Sequence, residues 1–351
     1  MTYQSDSPKA DKEYSYGKEK LALIQDYHNN FYDTYKELEK HYDLEMFGES
    51  YFKIPKDINN SLWETKQIGR LYLANPFTLY KALKGHTKAI IKDFSQPKSV
   101  IAILICRLLG IKYTITLQKM EWFNKRPLLL KLLIKLIIKK DTPIMARISE
   151  SYYQASLYFD NVTYVPFAVT RKIPNQYTKR DTIRVLCVGK LNDPNKNHVQ
   201  LIKALDESDQ RFELTIVGSM KQKTPYYYKL QKAMLSSMHT MYIQRDLSKG
   251  EIALEYMRAD LFILPTIREP ANYSVLEAMS YGLPVISSSG NGTASYLNQF
   301  YVFWANDKKS LKEILKRIVP NLKTAGNDNL GLARTNHNQK LIVNKMLKVI
   351  E

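Results

Sequence analysis

The chain has 351 residues and a formal net charge of +18, from 52 Lys and Arg against 34 Asp and Glu. With 44% hydrophobic residues it can bury one large core or, more comfortably, two. No apolar run approaches the ~20 residues of a spanning helix, the N-terminus lacks a signal-peptide core, and Cys106 and Cys187 show no disulfide or metal-ligand spacing. These features argue against an integral membrane protein or a disulfide scaffold, and the expected compartment is the cytoplasm. The basic surplus points to a polyanionic partner: nucleic acid, an anionic membrane face or a phosphorylated substrate.

In chain order, residues 1–17 are small, polar and charged, and predict a disordered tail. LALIQDY (21–27) predicts a strand, His28-Asn29-Asn30 a turn, FYDTYKELEKH (31–41) a helix and YDLEMFG (42–48) a second strand. AIIKDF (89–94) predicts a strand, SVIAILICRLLG (99–110) a helix closed by Gly110, and IKYTITL (111–117) a strand. The pattern lapses over PFAVTRKIPNQYTKRD (166–181), which has two prolines and no sustained period. It then restarts: TIRVLCVGK strand, HVQLIKAL helix, FELTIVGS strand, YYYKLQKAML helix, MYIQR strand, KGEIALEYMRA helix, LFILPT strand, SVLEAMSY helix, PVISSS strand. Strands alternating with helices imply parallel sheets covered on both faces. The expected architecture is α/β, with two doubly wound, Rossmann-like domains facing a cleft. An N-terminal domain spans 18–168, a linker 169–182 and a C-terminal domain 183–330, while a C-terminal helix (331–351) packs back on the N-terminal domain.

The segment LFILPTIREPANYSVLEAMSYGLPVISSS (261–289) places a loop with Arg268, Glu269, Pro270 and Asn272 between a strand ending at Thr266 and a helix. Ser274 is a good N-cap type, Glu277 sits where a capping box needs it, and Gly282 fits the position after the helix. In open parallel sheets ligands bind beyond the carboxyl ends of the strands, and the first amides of a helix attract phosphate. Glu269 and Glu277 flank that position, and a carboxylate accepts two charge-assisted hydrogen bonds from vicinal hydroxyls. The plain alternative is that Glu277 caps its helix and Glu269 is a solvated loop acid.

Seven residues separate the two acids, and REPANYSVLEAMSYGLPVI resembles the signature of glycosyltransferase family 4, retaining enzymes of the GT-B fold. The resemblance implies that Glu269 lies by the donor sugar, Glu277 binds the ribose, and the backbone of Ala271, Asn272, Tyr273 and Ser274 meets the diphosphate. Pro270-Ala271-Asn272 stands where the family often has Gly-aromatic-Gly. RVLCVGKLNDPNKNHVQLIKAL (184–205) resembles the family's strand-Gly-Arg…Lys element, which puts Gly189, Lys190 and Lys196 at the pyrophosphate. Lys190 replaces the usual Arg, losing its bidentate fork. Gly218 falls at a ligand-facing strand end, the backbone near Gln244 and Arg245 would receive the nucleobase, and Ser295 stands where an acid is common. His198 simply begins a helix. Gln118 occupies the place of an acceptor-side His and cannot shuttle a proton at neutral pH. His28-Asn29-Asn30 stands where a Gly-rich loop would. The implied activity is a retaining hexosyl transfer from a UDP- or GDP-linked sugar to a glycan or lipid-linked acceptor. The nucleotide sugar is a co-substrate, and no metal or other cofactor is expected.

KMEWFNKRPLLLKLLIKLIIKK (119–140) carries seven Lys/Arg against one Glu. Pro127 suits a first helical turn, and Lys131, Lys135 and Lys139 share one stripe, with Trp122 and Phe123 just before it. Two readings stand: a helix in a membrane interface with its lysines toward lipid phosphates, or a helix buried on three sides with a solvated lysine stripe. Other readings of the whole chain are a catalytically silent module that binds a nucleotide or polyanion, and a nucleic-acid binder. The latter lacks any nucleic-acid motif, so no nucleic-acid partner is expected.

Overall fold

The computed structural model describes residues 18–24, 31–48, 55–62, 65–68, 71–170, 172–174 and 177–351. The tail expected at 1–17 and the turn at 28–30 lie outside them. The chain forms two compact units, residues 1–28 with 35–113 and residues 29–34 with 114–351. The elements begin β1 (Lys20–Ile24), α1 (Tyr32–Leu38), β2 (Asp43–Gly48), β3 (Asn60–Leu62), a hairpin of β4 (Thr65–Ile68) and β5 (Leu71–Ala74), α2 (Pro76–Leu83), β6 (Lys88–Lys92) and α3 (Pro97–Leu108). Then come β7 (Lys112–Leu117), α4 (Glu121–Asn124), α5 (Leu128–Ile137), β8 (Ile144–Ala146), α6 (Ser149–Ser156) and β9 (Val162–Tyr164). The remainder is β10 (Thr182–Val188), α7 (His198–Asp206), β11 (Arg211–Gly218), α8 (Pro225–Leu235), β12 (Thr240–Arg245), α9 (Lys249–Arg258), β13 (Leu261–Leu264), α10 (Tyr273–Ser280), β14 (Val285–Ser288), β15 (Val302–Phe303), α11 (Lys308–Ile318), α12 (Leu322–Asn336) and α13 (Gln339–Ile350).

The strand orders are β3-β2-β1-β6-β7-β8-β9 and β12-β11-β10-β13-β14-β15. The second sheet is parallel throughout. Its strands read as apolar runs because both faces are covered. Val185 and Cys187 of β10 face a core with Leu201, Leu205, Leu214 and Ile263. Leu186, between them, turns to the opposite core with Phe262, Leu276 and Met279. Both cysteines are buried and free, as their apolar settings suggest, and burial pushes each thiol up to about 12.

The helices follow the expected spans closely, and Gly110 and Gly282 take the left-handed conformation beyond α3 and α10. Three features differ. The single helix expected at 331–351 is two, the end of α12 (Leu322–Asn336) and α13 (Gln339–Ile350), broken at His337 and Asn338. β13 stops at Leu264, before Pro265, and the N-cap of α10 is Asn272 rather than Ser274, because the Asn272 Oδ1 accepts the Ser274 amide at 3.0 Å. In the second sheet β10 is flanked by β11 on one side and β13 on the other. The chain order reverses there, and a ligand crevice opens beyond the carboxyl ends of such strands.

At the opposite end of β10, Asp260 closes the sheet. Its carboxylate is 3% exposed and accepts from the Arg184 backbone N at 3.0 Å, Nε at 3.1 Å and Nη2 at 3.0 Å. Asp260→Ala is expected to cost about 3 kcal/mol, since it strands the guanidinium and a backbone amide together. Urea unfolding measures this, with Asp260→Asn losing less because it still accepts the amide.

Candidate functional site

The two corners at the carboxyl ends of β10 and β13 are joined by one connected set of polar side chains. After β10 the chain passes Gly189 and Lys190 and makes a tight turn at Asp193-Pro194-Asn195-Lys196, in which Asp193 Oδ1 accepts the Asn195 amide at 2.9 Å. Lys196 is 6% exposed. Its methylenes run over Gly189, where a Cβ would lie 3.2 Å from the Lys196 Cδ. Gly218 ends β11 still more tightly: a Cβ there would lie 1.9 Å from the Gly189 carbonyl oxygen, so only glycine lets the two strand ends pass.

Lys196 Nζ meets Glu269 Oε2 at 2.5 Å. The same oxygen accepts from Asn272 Nδ2 at 3.0 Å, and Thr266 Oγ1 stands at 3.5 Å. The Glu269 backbone is held on both sides, its N donating to Gly290 O at 2.8 Å and its O accepting from Gly292 N at 2.9 Å. Asn272 caps α10 through both the amide and the hydroxyl of Ser274. Tyr256 OH then bridges the Ser274 carbonyl at 3.4 Å and Glu277 Oε2 at 3.0 Å. A continuous path therefore runs Lys196–Glu269–Asn272–Ser274–Tyr256–Glu277.

Glu277 faces Tyr256, whose ring stacks on Tyr281 with centroids 5.2 Å apart and planes at 11°. Burial pushes the Glu277 carboxyl above the usual carboxylate range, while the Tyr256 hydroxyl and the charges of Lys172 and Lys249 draw it back. His198, at the start of α7, is fully buried and is pulled down to about 3 by burial and then by Lys196.

The other expected site residues are not members of this path. Ala271 is half-buried within the loop, and Lys190 is exposed just past β10. Tyr273 has its side chain committed, the hydroxyl donating to Ala168 O and the ring lying 6.4 Å from Phe167. Gln244 and Arg245 pair with Val217 and Gly218 at the end of β12. Gln244 also lines a cavity of about 250 Å³ with Arg184, Glu213, Tyr242, Glu255 and Arg258, and no member of the path lines it. Gln118 is half-buried at the bend after β7. Ser295 donates to Gly292 O at 2.7 Å.

Three contributors are not evident from the motif. Asn195 fastens the two corners: its Nδ2 donates to Arg268 O at 2.7 Å, its Oδ1 accepts from Arg268 N at 2.9 Å and its carbonyl accepts from Ile267 N at 2.8 Å. The only sequence signal is the turn-forming run Asp193-Pro194-Asn195. Tyr256 gives no signal beyond an apolar position on α9. Arg147 is 4% exposed, with its guanidinium 4.8 Å from the Phe167 ring centroid and no ion-pair partner among the described residues.

Asn195→Ala removes both side-chain bonds to Arg268 and is expected to lower stability by about 1–3 kcal/mol, measured by denaturant unfolding. The pH response separates His198 from Glu277. The depressed His198 contributes stability that is complete above pH 6.5 and lost as pH falls toward 3. The raised Glu277 contributes stability below the ordinary carboxylate pKa of 4.5 that is lost as pH rises through its folded value. Glu277→Gln is accordingly expected to unfold at a higher temperature than the parent at pH 7 and at a similar one near pH 4. A lower midpoint at pH 7 would contradict this.

Residues 169–326 match the family model described as "Glycosyl transferases group 1", a segment that contains the whole path from Lys196 to Glu277. None of the curated proteins compared with the chain matches its sequence. Among solved structures, sucrose-phosphate synthase from Thermosynechococcus elongatus superposes with a TM-score of 0.72 at 16% identity, over 94% of this chain and 98% of that one. A glycosyltransferase from Rickettsia africae gives 0.75 at 14%, over 95% and 98%. Anabaena HepE, solved in complex with UDP-glucose, gives 0.74 at 12%, over 94% and 98%. The chain thus has the GT-B fold, and its residues 169–326 match the group 1 glycosyl transferases.

Proposed function

We propose that this chain is a retaining hexosyltransferase that moves a sugar from a UDP- or GDP-linked donor to a glycan or lipid-linked acceptor without a metal ion. The observation that carries this reading is the unbroken path from Lys196 to Glu277, which sets cations, carboxylates and the start of α10 beyond the strand ends at the switch point of the sheet. Glu269 accepts from hydroxyls of the donor sugar. Lys196 has donors to spare after its contact with Glu269, and with Lys190 and the first amides of α10 it stabilises the diphosphate. Glu277 accepts from the ribose hydroxyls, oriented by Tyr256.

In the reaction the bond from the anomeric carbon to the diphosphate oxygen breaks, and its electron pair leaves with the nucleoside diphosphate. A new bond forms to the acceptor oxygen, whose proton passes to the departing phosphate. Fixed positive charge at the leaving oxygens lowers that barrier, commonly the largest catalytic contribution in such chemistry. Work at an anionic, cytoplasmic membrane face suits a lipid-linked acceptor and the +18 charge.

The test is a screen of UDP- and GDP-sugars without acceptor, reading thermal stabilisation and slow donor hydrolysis. One donor is expected to do both. Lys196→Ala should reduce hydrolysis on the order of 100-fold, and Glu277→Gln should weaken nucleotide affinity roughly tenfold or more. Stabilisation without turnover would assign the chain to the catalytically silent reading, in which Gln118 marks a lost acceptor-side group. No response to any nucleotide sugar would end the proposal.

A further inference from the structure

Helix α5 turns its apolar face outward. Ile134 and the following Ile138 point into the protein at 4% and 1% exposure, whereas Leu128, Leu129, Leu132, Leu133 and Leu136 are 48–73% exposed. Wheel geometry puts these five leucines on one continuous arc of ~140°, with Lys131 and Lys135 together along one border. Those lysines fold back over aromatic rings of the protein, Lys131 Nζ 5.9 Å from Phe123 and Lys135 Nζ 4.9 Å from Tyr158. Lys139 lies beyond the end of the helix. The exposed leucines do not fit the reading of a helix buried on three sides, and Lys131 and Lys135 stand as a stripe beside the leucine face. Leu157 adds another apolar side chain at 76% exposure. Arg126 lies 4.6 Å from the Trp122 ring just before the helix.

A contiguous exposed leucine face of this kind needs an occupant. We propose that α5 lies in the plane of an anionic lipid bilayer, with its leucines in the acyl boundary and the neighbouring cations at the headgroups. Ten residues are too few to cross a bilayer, so the helix must lie along it. Charge chooses the occupant. Seven Lys/Arg against one Glu over 119–140 would set like charges against each other at a contact with a second copy, whereas anionic headgroups complement them. The inference deepens the membrane-face part of the proposed function and does not depend on the sugar-transfer part.

Flotation of the full chain with phosphatidylglycerol-containing vesicles, against phosphatidylcholine alone, tests it. The parent is expected to float with the anionic vesicles, and the pair Leu132→Ser with Leu136→Ser to lose binding at least tenfold. Lys131→Gln with Lys135→Gln should lose roughly tenfold on anionic vesicles only. The leucine variant should keep the parent's far-UV circular dichroism and urea-unfolding midpoint, which shows that it is folded whether or not the chain turns over a nucleotide sugar. Undiminished vesicle binding by the leucine variant overturns the proposal. So does a dimer, seen by sedimentation, that the leucine variant dissolves while the parent ignores vesicles.

Discussion

The contact between Lys196 and Glu269 is the constraint around which the carboxyl ends of β10 and β13 are arranged. Both groups are largely withdrawn from water, with side-chain exposures of 8% and 22%, and a desolvated pair holds only when further hydrogen bonds complete it. Asn272 supplies one to the carboxylate, and Thr266 stands near. The rest of the corner makes the approach possible. Gly189 leaves room for the lysine stem, Gly218 lets two strand ends pass at contact distance, and Asn195 pairs with Arg268 much as a strand would. A side chain at Gly218 would strike the Gly189 carbonyl oxygen and move backbone, whereas one at Gly189 would press only on the lysine stem.

A second consequence concerns Glu277. Because Asn272 caps α10, Glu277 is released from helix capping and turns to Tyr256. A carboxyl whose pKa is raised by burial is poorly solvated in the free protein, so a ligand bringing hydroxyl donors meets an acceptor that has lost little water bonding elsewhere. Tyr256 cannot satisfy it alone, having one proton to share between Glu277 and the Ser274 carbonyl. The unused acceptor capacity is what makes this acid suited to a diol rather than to a purely structural task.

Much of this was legible in the sequence, and for identifiable reasons. Alternating apolar runs and amphipathic helices marked the parallel α/β layers, since each strand of the second sheet is covered on both faces. The spacing of Glu269 and Glu277 and the order of Gly189, Lys190 and Lys196 pointed to one region because strand ends and helix starts are set by local chemistry. What was hidden were relations between distant segments. Nothing local says that Asn195 pairs with residue 268, that Tyr256 from another helix reaches Glu277, or that Arg147 stacks on Phe167. The N-cap was misread because Asn272 and Ser274 are both good capping residues; Asn272 takes the cap with its Oδ1 while its Nδ2 donates to Glu269. For helix α5 two readings stayed open because composition gives the faces of a helix but not which one meets the protein.

These features share a physical character. A desolvated Glu277, a buried Arg147 with no carboxylate partner among the described residues and five exposed leucines each oppose the folded state, and all three lie in the unit that contains the second sheet. Other parts of that unit satisfy both local and global preferences: Asp260 is fully bonded, Asp307 caps α11, and α11 buries Leu311, Ile314, Leu315 and Ile318 on one side. A sequence that satisfies its rules in the core and breaks them in a few named places is arranged for something the isolated chain does not contain. On the proposed reading, these breaks call for hydroxyl donors at Glu277 and a surface both oily and negative at α5.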